Sequence, residues 1–99
     1  MKVDIDELDI RMSELFDRYC FFQFNDSVNR EGFRRVFKTE LQPNFSECFD
    51  YMIKCDEENN TPTIIDQNKL ALTVFWKETD NVYWKGREYE FGSNGMKTK

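Results

Sequence analysis

Apolar residues in the first quarter of the chain recur at gaps of three and four: Ile5, Leu8, Met12, Leu15, Tyr19 and Phe22. That spacing puts them on one side of an α-helix, sustained over nearly three heptads. Asp4 stands where an N-cap belongs, and Glu7 follows at the capping-box distance. The stripe predicts a helix packed on its own domain, and its length also admits a seam with another chain. The polar run from Asn25 to Ser27 breaks the pattern, and Asp26 or Ser27 can cap a second helix. Val28, Phe33, Val36, Phe37 and Leu41 fall on one side of it, while Arg30, Arg34 and Lys38 line up elsewhere as a basic stripe. Gly32 weakens that helix by about 1 kcal/mol against Ala. Pro43 stops it by restricting Gln42. Ser46 then caps a short third helix with Phe45, Cys48, Phe49, Met52 and Ile53 on its apolar side, and "CDEENNTP" reads as a loop.

From Thr63 the period falls to two. "TIID", "KLALTVFWKE" and "VYWKGREYEF" read as three strands rich in β-branched and aromatic residues. Short polar connections at 66–69 and 79–81 favour an antiparallel meander. The closing "GSNGMKTK" has little to bury and is assigned to a disordered tail. The expected fold is α+β: three N-terminal helices packed on one face of a C-terminal three-stranded antiparallel meander. A single domain covers residues 1–92 and a tail covers 93–99.

The last hairpin decides which side chains are available for function. A three-residue loop at Thr79, Asp80 and Asn81 sets Trp76 opposite Trp84. Leu70, Leu72, Val74, Trp76, Val82 and Trp84 then share an apolar face for the helices to cover. Thr73, Phe75, Lys77, Tyr83, Lys85, Arg87 and Tyr89 share the other. A loop of two or four residues reverses the parity of the second strand and mixes rings with charges on both faces. One-face hydrophobic consistency therefore favours the three-residue loop.

Composition narrows the chemistry. The chain has 99 residues, 16% of them aromatic, and a formal charge of −5. The charge is segregated, with net −3 over residues 1–18, +2 over 19–39, −6 over 40–66 and +2 over 67–99. Overall acidity argues against general nucleic-acid binding, although a local basic face stays open. There is no His, so the commonest general base and metal ligand is missing. Cys20, Cys48 and Cys55 form no CxxC pair and read as reduced, buried thiols of a cytoplasmic protein. The run Asp56 to Asn59 could hold a divalent cation only weakly, lacking the Gly and spacing of a calcium loop. No signal peptide or membrane-length apolar run is expected. The chain therefore reads as non-catalytic, with no metal and no cofactor.

Three functions fit this reading. The favoured one is a small acidic protein that binds and blocks or regulates a basic, nucleic-acid-handling protein, as an immunity protein or a phage-encoded inhibitor does. Asp4, Asp6, Asp9, Asp17, Glu47, Asp50, Asp56, Glu57 and Glu58 would meet the basic cleft. The alternative is a nucleic-acid-binding accessory protein that uses Phe75, Lys77, Tyr83, Lys85, Arg87 and Tyr89, with rings for stacking and cations for phosphates. The third is a small virion or assembly component, with the first helix as an oligomer seam. Asn, Lys, Ile and Phe usage fits AT-rich coding, as in phages or low-GC bacteria.

Overall fold

The computed structural model describes residues 3–21 and 23–98. Helix α1 (Ile5–Leu15) runs into a π-helical turn (Phe16–Cys20), and α2 (Ser27–Glu40) into a 3-10 turn (Gln42–Phe45). Strand β1 (Asp50–Lys54), the short helix α3 (Pro62–Asp66), β2 (Leu70–Lys77), β3 (Lys85–Gly92) and β4 (Gly95–Thr98) complete the chain. The strands form one antiparallel sheet in the order β1-β2-β3-β4, an α+β meander with one strand more than expected.

Both long helices start where their caps predict. The Asp4 carboxylate accepts the Glu7 amide at 3.2 Å, and Asp26 accepts Asn29 at 2.8 Å. The stripe of α1 buries Leu8, Met12 and Leu15 completely. The wider π-helical turn then shifts the stripe, so that Phe16 and Cys20 enter the core and Tyr19 is only half-buried. Phe22 lies outside the described residues. Phe33, Phe37 and Leu41 of the second predicted stripe are buried, whereas Val28 at its start is exposed. The Phe16 ring stacks on Phe91 at 5.1 Å and meets the edge of Phe37 at 5.3 Å, joining both helices to the sheet. Fully burying a side chain of this size stabilises by about 1.5–3 kcal/mol, so these few rings and leucines supply most of the core. The buried part of the α1 stripe packs within the fold.

Two short elements exchange the identities the sequence predicts. The segment expected as a third helix forms β1, because Tyr51, Ile53 and Cys55 alternate inward at period two against β2. "TIID", expected as a strand, is helix α3. Thr61 caps it by accepting the Ile64 amide, and Pro62 sits at the first helical position, where its missing N–H costs nothing. The segment expected as a disordered tail instead turns at Gly95, with φ +88°, and returns along β3 as β4 up to Thr98.

Beyond Lys54 the flank of β2 has no strand beside it. There the Asn60 carboxamide takes the place of one. Its Oδ1 accepts the Ala71 amide and its Nδ2 donates to the Ala71 carbonyl, both at 2.8 Å. Asn25 donates to Asn60 Oδ1 at 2.9 Å and to the Lys69 carbonyl at 2.8 Å, and Arg30 in turn donates to Asn25. This chain of polar groups ties α2, the loop before it and the 55–61 segment to the sheet, with Asn60 only 2% exposed.

Candidate interaction surfaces

The β2–β3 register differs from the expected one by a single residue. Leu70 pairs with Phe91, Leu72 with Tyr89, Val74 with Arg87 and Trp76 with Lys85. Trp76 is therefore buried at 4% exposure, while Trp84 is 40% exposed in the longer connection that precedes β3. Arg87 and Tyr89 point to the helix-covered face, which the one-face rule had reserved for apolar groups. The reason is Asp9 on α1. Its carboxylate accepts Arg87 Nε at 2.8 Å and Nη2 at 2.7 Å, and the Tyr89 hydroxyl at 2.7 Å. A bidentate ion pair completed by a phenol makes a mixed face acceptable inside the fold. Arg87 holds the Asp9 carboxyl below the usual carboxylate range, against the opposing effect of burial. Burial and the donated hydrogen bond push the Tyr89 hydroxyl up.

The opposite face of the hairpin carries Phe75 and Lys77, with Met52 beside Phe75 across β1. The Phe75 ring lies over Gly86, where an added Cβ would come within 3.1 Å of it. The Lys77 ammonium sits 4.8 Å above the Trp84 ring. Lys85 is paired with Glu78, whose carboxyl it holds below its ordinary range. The six residues expected to form an aromatic and basic face are thus divided. Phe75, Lys77 and Tyr83 stay outside, Lys85 is matched by an acid, and Arg87 and Tyr89 are bound to Asp9. They form no continuous stacking track.

The acidic candidates lie on several elements, and some of them have partners within the fold. Asp4 caps α1 and Asp9 is occupied by Arg87 and Tyr89. Asp6 and Asp17 are exposed on the first helical segment. Glu47 and Asp50 stand at the start of β1, whereas Asp56, Glu57 and Glu58 follow its end. Asp56 accepts the Glu58 amide and Glu58 pairs with Lys54 at 2.8 Å. The length of β1 separates the two groups.

Besides single exposed apolar side chains such as Ile10, Val28, Phe49 and Met52, two exposed apolar features lie at opposite ends of the sheet. At one end the β2–β3 connection presents Val82 at 79% exposure and Tyr83 at 76%, beside Trp84. Its Asn81 side chain accepts the Tyr83 amide, an Asx turn that shapes the tip. At the other end a groove of about 540 Å³ opens between residues 20–21 and 23–25, α3 and the strand ends. Cys20, Phe24, Phe33, Ile65, Leu70 and Phe91 form its apolar walls, with Phe24 81% exposed. Sequence reasoning missed the groove, because its walls come from four separate segments.

Among the described residues no three His, Cys, Asp or Glu side chains converge on a metal position. All three thiols are free, and burial raises each of them, that of Cys55 to about 12. No helix among the described residues is long and apolar enough to cross a membrane. The Trp76 indole N–H is buried with no well-formed hydrogen bond.

Part of the chain is similar in sequence to tail sheath proteins of phages. The chain is 33% identical over 60 residues to the tail sheath protein of Enterobacteria phage T4, covering 59% of this chain and 9% of that protein. It is 26% identical over 68 residues to the tail sheath protein of Vibrio phage KVP40, covering 66% and 10%. It is also 26% identical over 69 residues to the tail sheath protein of Salmonella phage ViI, covering 68% and 11%. The chain thus spans about a tenth of the length of these relatives. No family model matches it. No solved structure matches it.

Proposed function

We propose that this chain is a structural component of a phage tail, working through protein–protein contacts as the counterpart of one segment of a tail sheath protein. The observation that carries this reading is the similarity of about two-thirds of the chain to tail sheath proteins of three phages. It favours the virion-component reading over the inhibitor of a basic protein. The exposed tip and the open groove are the kind of surface an assembly component needs, since apolar area left in water favours burial against a partner. The reading is non-catalytic. The test is co-sedimentation of the purified chain with assembled phage tails. Saturable binding that survives nuclease treatment supports the proposal. A chain that stays in the supernatant refutes it.

A further inference from the structure

We infer that copies of this chain join head to tail, with the 78–84 loop of one copy seated in the groove of the next. This deepens the assembly reading and rests on it for its biological setting. Its physical basis lies in the two ends of the sheet. Strand β2 begins at Leu70 in the groove wall and ends at Lys77 beside the tip. The two features are therefore separated by roughly 23 Å, the rise of eight strand residues. They cannot cover one another within a molecule. A second copy in the same orientation covers one of them, and a copy on each side covers both.

The fit is chemical as well as positional. The tip projects Val82, Tyr83 and Trp84, and the groove is walled by Phe24, Phe33, Ile65 and Phe91 among others. Ring against ring in such a site adds offset and edge contacts to plain area burial. The charges are compatible. Of the two acids in the 78–84 segment Glu78 is taken by Lys85, which leaves Asp80, and the groove lining holds no acid and one cation, Lys69, whose ammonium stands 3.8 Å from Glu90. Asp80 at the tip is exposed and has no ion-pair partner among the described residues.

Area sets the expected strength. Two rings and a valine cover roughly 400–600 Å² per partner, at about 150–250 Å² for each ring. Stable complexes bury about 800 Å² per partner. A single contact of this kind is therefore weak and concentration-dependent, and it becomes persistent only where many copies are held in line. A contact between two different patches also propagates rather than closing on itself as a symmetric dimer does.

The test is sedimentation velocity of the chain and of two exposed-site variants, from about 10 μM to about 1 mM. Val82→Ser with Tyr83→Ser removes the tip but keeps the groove. Phe24→Ser with Ile65→Ser removes the groove rim but keeps the tip. The unaltered chain is expected to grow into a concentration-dependent series, and each variant alone to stay monomeric with unchanged circular dichroism. An equimolar mixture of the two variants is expected to give a heterodimer and nothing larger. As a second measurement, Asp80→Lys is expected to weaken association about tenfold, and mixing it with a Lys69→Glu copy to restore most of that loss. The inference is overturned if the unaltered chain stays monomeric at the highest concentration. It is also overturned if either variant still self-associates, or if the mixed variants fail to pair. A chain that is monomeric yet still sediments with tails would remove this contact and leave the assembly reading standing.

Discussion

Replacing Asp9 with Asn keeps the side-chain shape and removes the charge that holds Arg87 and Tyr89 against α1. The carboxylate receives three hydrogen bonds of 2.7–2.8 Å, two of them from a guanidinium. Both charged side chains are about one-quarter exposed, so the pair lies between the surface and buried limits. Losing one member of a buried pair costs about 3–5 kcal/mol and an exposed pair contributes about 0–1 kcal/mol. Asp9→Asn, which still offers one acceptor oxygen, is expected to cost about 1–2 kcal/mol, and Asp9→Ala about 2–4 kcal/mol. In a domain this small each kcal/mol lowers Tm by about 4–8 °C. Urea denaturation followed by the fluorescence of buried Trp76 reads the change directly.

The same pair has a pH signature. Asp9 titrates below its ordinary value of 3.8 in the folded chain, so its contribution is complete above that value. It is lost as the pH falls through the lowered folded value. Stabilities of the unaltered chain and of Asp9→Asn should therefore converge in acid. Replacing both partners, Asp9→Leu with Arg87→Met, should recover most of the single-site loss, because no charge is then left alone inside. An Asp9→Asn cost below about 0.5 kcal/mol, or a double replacement worse than either single one, would refute this account of the hairpin register.

Three further outcomes follow from the fold. Asn60→Ala removes both bonds to Ala71 and is expected to cost about 2–4 kcal/mol, with faster hydrogen exchange at the Ala71 amide as the local readout. Gly32 is exposed within α2 and an added Cβ would meet nothing within 4 Å, so Gly32→Ala should stabilise by about 0.5–1 kcal/mol in a thermal melt. Tyr89 and the thiols of Cys20 and Cys55 are all raised in the folded chain above ordinary values of 10.0 and 9.0. Their contribution is whole below those values and is lost as the pH rises through the higher folded ones, so stability should fall steadily above pH 9.

The long helices and the central hairpin strands were legible because each carries a periodic pattern with its own caps or turns. The short elements were not. Around Ser46 to Cys55 an apolar set at helical spacing, Cys48, Phe49, Met52 and Ile53, competes with the alternation of Tyr51, Ile53 and Cys55. Only pairing with β2 decides between them. Thr61-Pro62 is a helix-start signal that reads equally as a stop. The hairpin parity failed for a different reason. Treating the sheet face as purely apolar left no place for a cation inside, and the carboxylate that admits Arg87 lies 78 positions away in the chain. The acidic residues showed the limit of charge counting, since Asp4 and Asp9 serve the fold. The exposed tip was half legible, because its rings were conspicuous while their burial was misassigned.

The measurement that bears most directly on the assembly reading is the copy number of this chain in purified phage particles, with gold labelling to locate it. Many copies per particle are expected, distributed along the tail and retained after washing in high salt. A chain abundant in infected-cell lysate but absent from the particles would contradict it.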